Sequence, residues 1–108
     1  MVTPEALEVG KTYFTVFYAD QSLLAPVIET FVYLGAESRT DEGYSSTEHV
    51  FQQARSFHQV GNWNSLASAE RAQFEVVPLL MFAPGDLEPV TDLEGLIAEL
   101  GDLLKRSQ

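Results

Sequence analysis

Apolar and aromatic residues are concentrated in short segments of the chain, and the first of these is residues 12–19, TYFTVFYA. β-Branched and aromatic residues fill this segment, and Gly10 and Asp20 bound it, which is typical of a β-strand. Alternate residues of a strand point to opposite faces, and neither face of this segment carries a charge. We therefore expect a strand in the interior of a sheet, covered at least in part on both sides.

A second strand is predicted for residues 27–34, which are mostly strong strand formers and stop at Gly35. Pro26 lies at the start of this segment, where the missing N–H group of a proline is tolerated. Residues 36–46, AESRTDEGYSS, are rich in turn-forming side chains and predict an exposed loop.

Residues 46–60 fit two different structures. Ser45 and Glu48 have the spacing of a helix capping box, and apolar residues then recur at helical intervals. At the period of a strand, the aromatic residues fall on one face and small or polar residues on the other. We favour a strand narrowly, because strands are predicted on either side. In both interpretations the segment ends at Gly61.

Two further elements are predicted before the C-terminal region. Residues 64–73 contain good helix formers after Asn64 or Ser65, either of which can cap a short helix. Residues 74–82, FEVVPLLMF, predict a strand, and Pro78 restricts that strand to a sheet edge or marks a bulge.

The C-terminal segment carries the clearest helical pattern. Thr91 and Glu94 have capping-box spacing, and Lys105 and Arg106 lie at the end where positive charge suits the helix dipole. Six aliphatic side chains share one stripe: Leu93, Leu96, Ile97, Leu100, Leu103 and Leu104. Burial of this stripe outweighs the cost of the two glycines in the segment. We therefore predict that the helix packs on the sheet through the whole stripe, Leu100 included.

Together these elements predict a single α+β domain over residues 1–108. The expected architecture is a small antiparallel sheet of about four strands with the C-terminal amphipathic helix packed on one face. If residues 46–60 form a helix instead, two or three helices would pack on a three-stranded sheet. The pattern does not determine the order of the strands.

The charge of the chain excludes two classes of partner. Sixteen acidic and six basic residues give a formal net charge of −10. Binding to nucleic acid or to an anionic membrane needs clustered lysines and arginines, so neither is expected. The absence of cysteine excludes disulfides, thiol nucleophiles and thiolate metal sites. No signal peptide or membrane span is apparent, and we expect a soluble cytoplasmic protein.

Residues 46–63, STEHVFQQARSFHQVGNW, contain both histidines and the only tryptophan. His49 and His58 are nine residues apart, which places them on opposite sides of either a helix or a strand. Glu48 with one histidine supplies only two ligands, so we expect no metal site.

Other chemistry has little support in the sequence. The chain has neither a dinucleotide-binding nor a phosphate-binding glycine motif, and no cofactor is predicted. Glu29 stands alone among apolar neighbours and is the best candidate for acid–base catalysis. A carboxylate that faces solvent, or that pairs with Arg55 across the strands, is the simpler interpretation.

The aromatic residues of the predicted strands are the remaining signal. One helix covers one sheet face, so the other face needs a second layer, a partner or a ligand. We take four residues as candidate binding residues: Tyr13, Phe17, Phe31 and Tyr33. Soluble monomers seldom expose a large apolar face, so we expect a homodimer or a protein partner there.

These observations favour a non-enzymatic protein-interaction or accessory module. A small-molecule-binding domain with an aromatic-lined pocket is the alternative. A small acid–base enzyme that uses Glu29 or a histidine is the third hypothesis.

Overall fold

A computed structural model describes residues 2–108, the side chains of residues 39 and 41 excepted. It has an α+β architecture, with a five-stranded antiparallel sheet and a C-terminal helix. The strands are β1 Thr12–Tyr18, β2 Pro26–Asp41, β3 Tyr44–Gln53, β4 Leu79–Phe82 and β5 Val90–Thr91. The helices are α1 Ala54–Val60, α2 Ser68–Arg71 and α3 Leu93–Arg106. Short 3₁₀ turns occupy Pro4–Ala6, Trp63–Ser65 and Pro84–Asp86.

The strand order in the sheet is β4-β3-β2-β1-β5. The first four strands form an up-and-down meander, and the chain then returns to the opposite edge, where β5 pairs with β1. The two predicted strands at 12–19 and 27–34 are both present, and β1 lies in the interior of the sheet as expected.

The loop predicted for residues 36–46 is wrong, because β2 and β3 continue through this region as a hairpin. A two-residue turn joins them, and its residues Glu42 and Gly43 have φ angles of 48° and 86°. Positive φ at both positions is characteristic of a type I′ turn, whose twist matches that of the two strands. Lower in the hairpin, Gly35 at φ 126° accompanies a bulge that shifts the register after Tyr33.

Residues 46–60 combine both structures that the sequence allows. The strand β3 extends to Gln53, and the helix α1 follows without a linker from Ala54 to Val60. The narrow preference for a strand is therefore right for the first half and wrong for the second. Gly61, at φ 80°, ends the helix and donates its N–H to Phe57.

The next two predicted elements are shorter than expected. The helix predicted for residues 64–73 is reduced to the 3₁₀ turn and the single turn of α2, which begins after Ala67. Of the strand predicted for residues 74–82, only Leu79–Phe82 forms a strand, which pairs with β3, and the Pro78 carbonyl accepts one more hydrogen bond, from the Gln53 N–H at 2.9 Å. The strand begins after Pro78, which is consistent with its position at the sheet edge.

One sheet face carries the main aromatic core. Tyr13, Phe31, Tyr33 and Phe51 lie here together with Val90. Residues from outside the sheet complete this core: Val2, Leu7 and Leu87. Of the three possibilities for covering this face, a second layer is present, supplied by the N-terminal segment and the chain before β5.

The opposite face is organised around the fully buried side chain of Gln52. Its amide nitrogen donates to Ser56 Oγ at 2.9 Å and to the Gly61 carbonyl at 3.0 Å. Its amide oxygen accepts the Trp63 N–H at 2.8 Å. These bonds fasten α1 and the buried Trp63 to the sheet, and Trp63 packs edge-to-face on Phe74.

The helix α3 lies alongside β1 and β5 at the edge of the sheet. Its N-cap is Asp92, whose carboxylate accepts the Gly95 N–H at 2.8 Å, and not Thr91, which belongs to β5. Leu96 is buried and Leu103 half-buried. The other aliphatic residues of the predicted stripe are exposed, among them Leu100. The stripe is therefore only partly used for packing on the sheet.

No helix among residues 2–108 is long and apolar enough to cross a membrane.

Candidate functional site

A large, open groove lies between the edge of β1 and the helix α3. Its volume is about 700 Å³, within the range typical of ligand sites. The strand side of the groove is formed by Val16 and Phe17, and the chain that enters β5 forms one end. The full lining consists of Val16, Phe17, Glu88, Pro89, Val90, Thr91, Gly95, Ala98, Glu99 and Asp102.

The groove lies where β1 lacks a neighbouring strand. The strand β5 has only two residues and pairs with Phe14 and Thr15. One more bond follows, from the Val16 N–H to the Pro89 carbonyl at 3.2 Å. Backbone groups of alternate residues point to opposite edges of a strand, so those of Tyr18 point away from β2, as those of Val16 do. The C-terminal end of β1 thus presents a short free edge beside the groove.

Small residues keep the helix wall of the groove open. Gly95, Ala98 and Asp102 lie at intervals of three and four residues and so share one side of α3. A Cβ atom added at Gly95 would lie 1.9 Å from Thr91 Oγ1, so the start of the helix has no room for a larger residue. These small residues leave space for a segment of chain beside β1.

Tyr18 connects the far end of the groove to the helix. Its hydroxyl donates to Glu99 Oε1 and accepts a hydrogen bond from Arg106 Nη2 at 2.9 Å. Arg106 also donates to the Leu23 carbonyl at 3.0 Å, and its guanidinium lies 5.5 Å from the centre of the Tyr18 ring. The hydrogen bond to the Glu99 carboxylate raises the pKa of Tyr18. These contacts hold α3 at a fixed distance from the end of β1.

The electrostatic character of the groove is negative. Three carboxylates line it, those of Glu88, Glu99 and Asp102, and its remaining residues are apolar or small. Arg106, near the end of the same helix, is engaged by Tyr18 and the Leu23 carbonyl. An apolar floor with an acidic rim suits a ligand that carries positive charge on an apolar body.

The four aromatic residues predicted to bind do not form one site. Tyr13, Phe31 and Tyr33 are buried in the core. Tyr13 packs edge-to-face on Tyr33 with a centroid distance of 6.3 Å, and its hydroxyl accepts the Glu8 N–H. Only Phe17 is half-exposed, and it lines the groove.

The remaining groove residues were not predicted. A usable signal was present in the helix pattern, where Gly95, Ala98 and Asp102 form a side that is neither apolar nor bulky. The free edge of β1 has no such signal, since it depends on the length of β5.

A second polar cluster lies inside the aromatic core. Tyr33 Oη and His49 Nδ1 are joined by a hydrogen bond of 2.8 Å, and both residues are buried. Burial raises the pKa of Tyr33. Because neither group is accessible to a substrate, we interpret this pair as a satisfied polar contact of the core.

The other sequence candidates are dispersed. His58 is exposed on α1, apart from His49 in β3, and Glu29 is exposed in β2. Glu29 and Arg55 line a separate, shallow cavity of about 310 Å³. Within residues 2–108, no three His, Cys, Asp or Glu side chains are arranged to hold a metal ion.

Comparison with known proteins returns no match. No protein-family model matches the sequence, and no curated protein and no solved structure is significantly similar to the chain.

Proposed function

We propose that this chain is a non-enzymatic protein-interaction module that binds an extended, basic segment of a partner protein in the groove between β1 and α3. The observation that carries the proposal is the free edge of β1 after Val16, which begins at the groove lined by Val16 and Phe17. An extended peptide can continue the sheet at such an edge, with main-chain hydrogen bonds giving affinity and the groove giving specificity.

The backbone supports a short added strand. The outward-pointing N–H and carbonyl of Tyr18 offer a donor and an acceptor in line with β5, beyond the bond between Val16 and Pro89. A peptide that pairs with them would run antiparallel to β1, as β5 does, and its side chains would alternate between the groove and solvent. Few backbone bonds are available, so we expect an affinity in the micromolar range.

The charges of the groove define the partner's composition. The rim carries Glu88 and Asp102, and the whole chain has a net charge of −10. Lysine or arginine residues in the bound segment would complement this rim, and apolar residues at alternate positions would contact Val16 and Ala98. The same field would increase the rate of association with a basic segment.

Synthetic peptides of about eight residues test this proposal. A peptide of alternating lysine and valine is expected to bind, as measured by fluorescence anisotropy, and to shift the amide resonances of residues 16–18 and 95–102. A peptide of alternating glutamate and valine is the charge control and is expected not to bind. Failure of the lysine–valine peptide to bind at millimolar concentration would overturn the proposal.

Two matched modifications locate the site. The substitution Ala98→Phe fills the groove and is expected to abolish binding, whereas Ala69→Phe, at an exposed position of α2, should leave binding unchanged. N-methylation of the peptide at alternate residues removes the N–H groups on one of its edges. Two peptides are compared, methylated at the two alternate sets of residues: one is expected to lose binding and the other to keep it. A small cationic molecule in the groove would not use the strand edge, so equal binding of both methylated peptides would support the small-molecule alternative.

A further inference from the structure

The structure points to self-association: we propose that two copies of this chain pair through α3, with the helices antiparallel about a two-fold axis. This inference goes beyond the proposed function, because it concerns a different side of the helix from the groove. The surface is an apolar row that we call the α3 stripe, which consists of Leu93, Ile97, Leu100 and Leu104. Their exposed fractions are 58 %, 63 %, 37 % and 60 %.

The spacing of the α3 stripe is that of a helix–helix seam. Its residues are separated by four, three and four positions, the interval pattern of the a and d positions in a coiled coil. At a rise of 1.5 Å per residue the stripe is about 17 Å long. Gly95, Ala98 and Asp102, which line the groove, lie on the opposite side of α3. A partner helix can therefore occupy the stripe without entering the groove.

The stripe is symmetric about its own centre, and this favours a second copy over an unrelated partner. Reading the intervals backwards gives the same order, so an antiparallel copy places Leu104 opposite Leu93 and Leu100 opposite Ile97. A two-fold axis requires such a self-complementary patch: if residue i of one copy contacts residue j of the other, then residue j of the first copy contacts residue i of the second.

The charges beside the stripe agree with the antiparallel direction. Glu94 and Lys105 are eleven residues apart, close to three helical turns, so they lie on the same side of α3. In an antiparallel pair, Glu94 of each copy comes near Lys105 of the other copy. In a parallel pair, Glu94 and Lys105 of the two copies would lie about three helical turns apart along the seam, and this charge pair would not form. The helix α3 therefore carries both the apolar seam and the charge pattern of an antiparallel homodimer.

The contact is small, which sets the expected affinity. The stripe itself offers less apolar surface than the approximately 800 Å² per partner of a standard interface. Each copy is also strongly acidic. We therefore expect a reversible dimer that forms at micromolar to submillimolar concentration.

Sedimentation equilibrium of the full chain tests the pairing. The wild type is expected to show a monomer–dimer equilibrium, and Ile97→Asp should raise the dissociation constant about tenfold or more. The matched control is Val76→Asp, which adds the same charge at a residue that is 76 % exposed and outside α3. Circular dichroism confirms that both variants fold. A wild type that stays monomeric at submillimolar concentration, or an Ile97→Asp variant that dimerises as the wild type does, would overturn the proposal.

Charge reversal tests the direction of the helices. Glu94→Lys and Lys105→Glu are each expected to weaken self-association a few-fold, because each places like charges together across the axis. An equimolar mixture of the two variants restores both opposite-charge pairs, so mixed dimers should form at the wild-type level. No recovery in the mixture would contradict the antiparallel pairing. Because Ala98→Phe should leave dimerisation unchanged, failure of the groove proposal and failure of this one are distinguishable.

Discussion

Tyr33 and His49 lie across the β2–β3 pair, with Tyr33 Oη 2.8 Å from His49 Nδ1. The bulge at Gly35 lies between them and shifts the register so that Ala36, and not residue 35, lies opposite His49. The pair is enclosed by aromatic rings, since Tyr33 also contacts Phe51 with a centroid distance of 5.1 Å. A polar group buried in such surroundings is costly unless it keeps its partner.

Removing the tyrosine hydroxyl is therefore expected to destabilise the fold. Tyr33→Phe leaves His49 Nδ1 buried without this partner and should reduce the free energy of unfolding by about 1–3 kcal/mol. Chemical denaturation measures this loss. The control Tyr44→Phe removes a hydroxyl from an exposed residue and should change stability by less than about 0.5 kcal/mol. Equal effects of the two substitutions would contradict the interpretation.

The raised pKa of Tyr33 predicts a loss of stability at alkaline pH. Burial makes the folded protein hold this proton to higher pH than the unfolded chain, whose tyrosines titrate near 10.0. The contribution is fully present below about pH 10 and is lost as the pH rises through the folded pKa. Denaturation at a series of alkaline pH values should show this decline. Tyr33→Phe should have a shallower decline than Tyr44→Phe, and identical pH profiles would contradict the assignment.

The Gln52 network predicts different effects for two neighbouring glutamines. Gln52→Leu leaves the Trp63 N–H and the Gly61 carbonyl without their partner and should cost at least about 2 kcal/mol. Gln53→Leu, at the adjacent exposed position, should cost less than about 0.5 kcal/mol. The fluorescence of Trp63, the only tryptophan, follows both unfolding transitions. A loss at position 52 as small as at position 53 would show that these bonds contribute little.

The helix α3 should respond unequally to truncation along its stripe. Leu96→Ala empties a buried site and is expected to cost about 2–4 kcal/mol, whereas Leu104→Ala at an exposed site should cost less than about 0.5 kcal/mol. Denaturation at low protein concentration separates these effects from self-association. Equal losses at the two positions would show that the helix packs as the sequence predicts.

Substitution of the buried Thr15 is expected to increase the stability of the fold, unlike the substitutions above. Its side chain is 1 % exposed, and its hydroxyl has no hydrogen-bond partner in the described part of the chain. Thr15→Val replaces the hydroxyl by a methyl group of similar size and should stabilise the fold by about 1 kcal/mol. Thr12→Val, at an exposed position of the same strand, is the control for strand propensity. A loss of stability at position 15 alone would mean that the hydroxyl is bonded after all.

The sequence predicted the elements that have a strong apolar pattern and missed those that are formed mainly by backbone pairing of polar segments. The strand at 12–18 and the C-terminal helix follow from periodicity, because both are packed along at least one apolar side. The outer part of the β2–β3 hairpin was missed because its residues are polar on both faces. Only its turn at Glu42 and Gly43 left a local signal, and Glu-Gly is not among the commonest type I′ pairs.

The candidate site depended on contacts that periodicity does not describe. Tyr13, Phe31 and Tyr33 have the composition of a binding face, but Val2 and Leu87 pack over them from distant parts of the chain. Phe17 differs from its neighbours only because no such cover reaches it. Which aromatic residue is buried and which lines the groove is therefore decided by the course of the chain outside the sheet.

Beyond Gly35 the β2–β3 hairpin becomes a two-stranded ribbon in which every described side chain from residue 36 to residue 47 is exposed. A lone ribbon of this kind is barely stable in water, so its backbone bonds can break from the tip inwards while the sheet below stays intact. Amide hydrogens near Ser38 and Thr47 would then exchange with solvent through these local openings. Those of Val32 and Gln52, on the same two strands, would wait for the whole domain to unfold. We therefore expect this one hairpin to contain both weakly and strongly exchange-protected amides, with Gly35 at the boundary between them.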